Sequence, residues 1–418
     1  MIGAAVRHAR LGAFALLAAL AVLSACSGPP PEPPLGLYRA VATTDGGDLP
    51  FGLELAREDG ALVAYLINGP ERVRATNVTL DGGNLTVQMP GYQNRIVASF
   101  RDGRFEGQLE ILRPRGIVRA LRLVAIPGEN WRFFPKPDAK PLDFSGRWAL
   151  TYRDPDGVES PAVAELTQDG HVVNGTVMRA SGDDRYLAGE ARGDTLFLSR
   201  FDGGTAYLIL ARLGPDGLLT GEQYTGGGSK DTFSGRRDPS AALDRSAGQS
   251  ALKPGVDRLS FTFPDLDGRP VTYPSERYQG KVVLVTIGGS WCPNCHDEAE
   301  FLKSLLATRR EKGLEVIQLM FERTLDFESQ AKGARAFAGK FAIDYPVLVA
   351  GTVTDDEPLR KLPELAALKA YPTMLAIDRK GVVRAVHTGF AGPATGTHFE
   401  EQTRELTALV DGLLAEPG

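Results

Sequence analysis

Lys281-Val282-Val283-Leu284-Val285-Thr286-Ile287-Gly288-Gly289-Ser290-Trp291-Cys292-Pro293-Asn294-Cys295-His296 decides how the second half of this 418-residue chain folds. Lys281 to Ile287 is a nearly continuous apolar run, the pattern of a strand buried on both faces. Past the cysteines, Ala299, Leu302, Leu305 and Leu306 recur at helical spacing, with Gly313 as the stop. Cys292 therefore falls where a strand ends and a helix begins. Backbone N–H groups and the helix dipole favour a thiolate there. Thiolate is the attacking species in disulfide exchange, so Cys292 reads as a nucleophile near neutral pH. Cys295 lies one turn in, less accessible, placed to attack a mixed disulfide formed at Cys292. Pro293 suits a first helical turn because its missing N–H would have no partner there anyway.

Outward from this stretch, residues 257–418 alternate strand and helix patterns. Leu314 to Phe321, Pro346 to Ala350 and Met374 to Asp378 read as strands, and Leu406, Leu409, Val410, Leu413 and Leu414 as a closing amphipathic helix. That order is α/β with a mixed sheet. Residues 238–256 lack a core pattern and read as a linker. Residues 36–137 and 143–237 instead carry short alternating runs, such as Ile96 to Phe100 and Thr195 to Ser199, separated by Asp-Gly pairs at Asp102 and Asp216. This is the pattern of consecutive antiparallel hairpins. Gly36-Leu37-Tyr38 has a counterpart in Gly146-Arg147-Trp148, and Phe105 to Leu109 is echoed by Leu219 to Gln223. The expected architecture is multidomain: two all-β repeats, each a sandwich or open barrel, followed by the α/β domain.

Arg7, His8 and Arg10 precede an apolar run from Leu11 to Leu23 that is too short to span a membrane as an ordinary helix. The run ends in Leu23-Ser24-Ala25-Cys26, which resembles the lipobox of bacterial lipoproteins. The resemblance implies removal of residues 1–25 and lipidation of Cys26, followed by a proline-rich tether through residue 35. Several acyl chains, at ~0.8 kcal/mol per buried methylene, anchor a protein stably. Ser27 is not the aspartate that retains lipoproteins at the inner membrane, so the periplasmic side of an outer membrane is the destination it favours. With Cys26 set aside, two of the three cysteines remain. A C-x-x-C bridge clamps almost no chain, so its value as a staple is small and the pair reads as reactive.

The C-terminal region resembles the TlpA/ResA-like branch of the thioredoxin superfamily over roughly residues 259 to 416. The residues that carry the resemblance are Phe261 to Gly268, Gly280 to Val285, Trp291-Cys292-Pro293-Asn294-Cys295 and Tyr371-Pro372-Thr373. It implies a thiol:disulfide oxidoreductase that needs no cofactor and reduces protein disulfides, with electrons returned by another thiol protein. Pro372 would be a cis-proline facing the disulfide and positioning the substrate strand. Trp291, Tyr371 and Thr373 would contact that substrate, and Glu298 would lie near Cys295 and help move its proton. The chain departs from the family at Gly288-Gly289, where bulkier groups are usual. Two glycines there could widen the groove or loosen the loop. The segment from Thr324 to Ala370 is long enough to add a helix beside the site.

Alternatives remain open on residues alone. Cys292 to His296 also fits C-x-x-C-H, the haem attachment motif. His296 is otherwise a surface residue of the helix or a positive neighbour of Cys292. A zinc site would need four ligands, and the remaining histidines are scattered. A peroxiredoxin-like thiol peroxidase keeps a single attacking cysteine with Thr in the position of Cys292, whereas both cysteines are present here. The two β repeats carry no visible catalytic constellation and read as a recruitment module. A net charge of -5 and the lack of Lys/Arg clusters interleaved with aromatics exclude a nucleic-acid binder.

Overall fold

The computed structural model describes residues 32–75, 77–137, 140–244, 248–354 and 356–417. The expected signal segment 1–25, the lipidation site Cys26 and most of the tether lie outside the described residues. Among the described residues no helix is long and apolar enough to cross a membrane.

The first β unit has nine antiparallel strands, from Gly36–Thr44 to Val118–Pro127. Each strand pairs with the next along the chain except at one seam, between Glu71–Ala75 and Asn77–Asp81. The first strand pairs with the last, Tyr38 opposite Pro127, so the sheet wraps into a barrel. Hairpin chemistry sets the register. Asp102 and Gly103 both hold positive φ (49° and 80°), as a tight two-residue turn requires. Alternation then sends Ile96, Ala98 and Phe100 inward.

The second unit runs from Gly146–Arg153 to Lys230–Arg237, and its first strand pairs with both its second and its last. Glu159–Asp169 also pairs with Val172–Arg179, which pairs on with Leu187–Arg192. The ring is therefore closed, and the expectation of a sandwich or open barrel resolves into barrels, the second without an open edge. Closure satisfies the backbone groups that an edge would expose. The second barrel keeps its own core around Trp148 and Leu196, but Phe201 and Leu208 leave it and pack among Phe51, Leu53 and Leu66 of the first. Asn68 donates to Phe201 O at 3.0 Å and accepts from Phe201 N at 3.1 Å, adding a backbone-like pair across the joint.

The α/β domain has a five-stranded sheet in the order Val347–Thr352, Leu314–Glu322, Val282–Gly288, Thr373–Ile377, Val383–Thr388. The first three strands are parallel, and the last two join antiparallel. All seven residues of the central strand, Val282–Gly288, are buried because both faces are covered. Helices Pro293–Arg309 and Thr397–Ala415 cover one face through Leu302, Leu306, Leu406 and Val410. The hairpin Phe261–Pro264 and Pro270–Tyr273 covers the other. Phe327–Phe341 is the added helix within the long segment. Residues 251–252 pair with Leu365–Ala367, so the end of the linker range is held on this domain.

Candidate active site

Val282–Gly288 ends in the Gly289-Ser290-Trp291 loop, and Pro293–Arg309 starts directly after it. Cys292 is the residue that caps this helix: its backbone is extended, and its Sγ accepts from Cys295 N at 3.1 Å. The two cysteines form a disulfide with Cα atoms 5.2 Å apart. Both are buried, Cys292 at 3% exposure and Cys295 at 1%. Across from them the Tyr371-Pro372 peptide is cis. The Tyr371 carbonyl oxygen stands 3.5 Å from Cys292 Sγ. Trp291 donates from Nε1 to Phe321 O at 2.9 Å and meets Tyr371 edge-on, centroids 5.3 Å apart. Cys292, Cys295, Trp291, Tyr371 and Pro372 are thus brought together.

Thr373 is not part of this surface. It is fully buried, pairs on both sides within the sheet, and its hydroxyl donates to Ala370 O at 2.8 Å. The expectation that it touches a substrate is corrected on that ground: no atom of it reaches the groove.

Glu298 lies one turn beyond Cys295 on the same helix and is 1% exposed. The Thr286 hydroxyl donates to its Oε2, while Oε1 is buried with no hydrogen-bond partner among the described residues. Burial penalises the charged form and pushes its pKa up to about 8, with Thr286 opposing the change. The carboxyl is thereby a proton acceptor or donor matched to neutral pH.

The paired glycines do not open the groove. A Cβ on Gly289 would stand 2.3 Å from Trp291 Nε1 and 2.5 Å from Phe321 O. One on Gly288 would stand 3.1 Å from Cys295 Sγ. The space a bulkier residue would take is filled by the Trp291 ring and the buried cysteine.

His296 also departs from expectation. It is 2% exposed and lies beneath the site. Its Nε2 donates to Ser290 O at 2.9 Å, and its Nδ1 lies 2.9 Å from the Lys340 ammonium. Burial and then Lys340 hold its pKa well below the usual histidine value, so the ring is neutral. It therefore supplies no positive charge to Cys292. With both ring nitrogens engaged by protein groups, it has no free atom to ligate a haem iron. Among the described residues no group of three or more His, Cys, Asp or Glu is placed to hold a metal ion.

Sequence reasoning missed three residues here. Glu322, fully buried, accepts from Ser290 N at 2.9 Å and Ser290 Oγ at 2.7 Å and pins the loop before Trp291. Burial raises its pKa to about 7. A carboxylate directly after the apolar run Leu319-Met320-Phe321 was the available signal. Arg323 stacks its guanidinium 4.8 Å from the Trp291 ring and donates to Leu112 O of the first barrel at 2.7 Å. Tyr92, in a hairpin loop of the first barrel, lies against His296. Nothing in its sequence neighbourhood singles it out, because the contact is made across domains.

Part of the chain is similar to known thiol-disulfide oxidoreductases. Residues 253–400 match the Redoxin family profile. The thiol-disulfide oxidoreductase ResA of Halalkalibacterium halodurans is 22% identical over 143 residues, 34% of this chain and 73% of the relative. ResA of Geobacillus thermodenitrificans is 25% identical over 142 residues, 34% of this chain and 72% of the relative. A solved thiol:disulfide interchange protein of the thioredoxin family from Chlorobium tepidum TLS is 20% identical, covering 40% of this chain and all of that one, with a TM-score of 0.29. Residues 253–400, with a buried C-x-x-C disulfide at a helix start and a cis-proline opposite, form a TlpA/ResA-like domain that matches the Redoxin family, and the chain is a thiol:disulfide oxidoreductase.

Proposed function

We propose that this protein works outside the cytoplasm, anchored to a bacterial membrane through lipidated Cys26, and reduces disulfides in partner proteins with its Cys292/Cys295 dithiol. The observation that carries the chemistry is the placing of Cys292 at the start of the helix, 3.5 Å from the carbonyl that precedes the cis-proline. The lipobox-like Leu23 to Cys26 run supports the anchor.

In the reduced enzyme the Cys292 thiolate attacks one sulfur of a partner disulfide. The partner's other sulfur leaves as a thiolate and takes a proton. Cys295 gives its proton to Glu298 and attacks Cys292 Sγ; the bond from Cys292 to the partner breaks, and the second partner sulfur leaves as a thiolate and takes a proton from water, while Glu298 returns its proton to water. The partner has gained two electrons and two protons, and the enzyme holds the disulfide. A thiol protein on the same side of the membrane then reduces it. Trp291 and Tyr371 flank the approach to Cys292, and the Pro372 loop aligns the substrate strand.

Trapping tests this directly. Cys295→Ser in the full chain should accumulate mixed disulfides with partner proteins, and Cys292→Ser should accumulate none. The reduction potential sets the direction: a value near about −270 mV supports a reductase, and one near about −120 mV makes the protein an oxidant. Labelling with radioactive palmitate, lost in Cys26→Ala, tests the anchor.

A further inference from the structure

The second barrel touches the redox turn at points that the exchange chemistry does not use. Asn294, between the two cysteines, donates from Nδ2 to Asp183 Oδ1 at 2.9 Å. The same Asp183 oxygen accepts from Gly392 N at 2.6 Å, and Gly182 forms a bridge with Phe390, so the barrel loop spans from the helix start to the loop after Val383–Thr388. Two residues on, Arg185 Nη1 lies 3.5 Å from Pro293 O and 3.2 Å from Asp297 Oδ1. Its Nη2 donates to Glu71 of the first barrel at 2.9 Å, and its Nε lies 3.5 Å from Asp202. One guanidinium therefore contacts all three domains and the residue next to Cys292.

The Arg185 backbone is at φ 55°, in the left-handed region that non-glycine residues avoid. Asp183 Oδ2, accepting from Arg185 N at 2.7 Å, holds it there. Non-glycine residues kept in such conformations cluster at functional sites. The other charged groups around the motif are Asp183 on Asn294, Glu71 and Asp202 on Arg185, Arg323 over Trp291, Lys340 at His296, Glu322 on Ser290, and Glu298 and Asp297 on the helix. Arg185 is the cation that bonds the turn between the cysteines itself.

We propose that Arg185 is a positioning residue of the redox centre, fixing the Cys292–Cys295 turn through the Pro293 carbonyl and supplying positive charge that stabilises the Cys292 thiolate. The barrel thus sets the potential of the neighbouring domain. This rests on the exchange chemistry proposed above. A stabilised thiolate favours the reduced form and moves the potential upward. The carboxylates on the same guanidinium, Glu71, Asp202 and Asp297, work in the opposite sense, and Asp297 is the one on the active-site helix.

The test uses the purified full chain at pH 8, equilibrated with reduced and oxidised glutathione, and the pH dependence of Cys292 alkylation. Arg185→Gln should raise the Cys292 pKa by about one and lower the equilibrium constant for reduction about tenfold, about 30 mV more negative. Arg185→Lys should recover part of that change. Asp297→Asn removes the facing anion, keeps the cation, and should move both readouts the other way. Both substitutions break the same ion pair, so a role in packing alone moves them together or not at all. Changes of the same sign, or none, overturn the proposal while leaving the exchange chemistry intact. A wild-type chain that does not equilibrate with glutathione overturns the exchange chemistry and this proposal with it.

Discussion

Tyr92 of the first barrel lies flat on His296 of the active-site helix, ring centroids 4.0 Å apart and planes 6° from parallel. Phe337 and Phe341 meet the same imidazole edge-on at 5.0 and 5.3 Å. The Tyr92 ring also closes on Gly203 and Gly204 of the second barrel, where a Cβ on Gly204 would come within 2.5 Å of it. Its loop is wedged between the second barrel and the active-site helix.

Tyr92→Ala should therefore loosen the docking of the domains more than it disturbs the first barrel. Removing a buried aromatic costs about 3–5 kcal/mol, and a stacked pair contributes about 0.5–1.5 beyond its area. The expected outcome is a lower melting temperature, with protease cuts appearing in residues 238–256 before either barrel is cleaved. Melting and cleavage unchanged from wild type would show that the stack adds nothing.

Glu298 gives stability a pH dependence of known sign. Its folded pKa of about 8 lies above the ordinary carboxyl value, so the folded state binds the extra proton. Its contribution is fully present in acid, falls as pH rises through the interval up to about 8, and is flat above that. A tenfold difference in proton affinity is worth about 1.4 kcal/mol, so the loss across the window is several kcal/mol. Glu298→Gln should flatten that slope in chemical denaturation between pH 5 and 9 and leave the variant more stable than wild type at pH 9.

The same carboxyl should shape the rate. If it takes the Cys295 proton, the pH–rate profile for reduction of a generic disulfide carries a limb near pH 8. Thr286→Val removes the hydrogen bond that holds this pKa down, so the limb should move to higher pH. Glu298→Gln should abolish it. A profile unmoved by either substitution would remove Glu298 from the mechanism.

Gly289→Ala tests the packing over the disulfide. The new Cβ meets Trp291 Nε1 and Phe321 O at distances no real contact allows, so the Trp291 hydrogen bond must break. Overpacking of this kind costs about 1–3 kcal/mol. Thermal denaturation should register that loss, and tryptophan fluorescence should change as the ring leaves its place. An unchanged melting temperature and spectrum would mean that the loop accommodates the methyl freely.

The redox motif and the domain around it were legible along the chain because their signals are local. A buried strand is a run of apolar residues, a helix start is a Pro after a cap, and Cys292 lies between them within a few positions. The hairpins of residues 36–237 were equally legible from alternation and Asp-Gly turns, since a strand's period and a turn's φ are set by neighbours. Closure of the second barrel was not, because pairing of Gly146–Arg153 with Lys230–Arg237 joins the two ends of the unit. The state of His296 was decided the same way: burial and Tyr92 and Lys340 arrive from elements far away in sequence. Thr373 was misplaced because proximity to a cis-proline says nothing about which side of the sheet edge a side chain meets. What sequence alone determined was the chemistry of the cysteine pair. The contacts of Asp183 with Asn294, Arg185 with Pro293 and Tyr92 with His296 came only from tertiary structure, because charge and stacking act through space and leave no periodic trace along the chain.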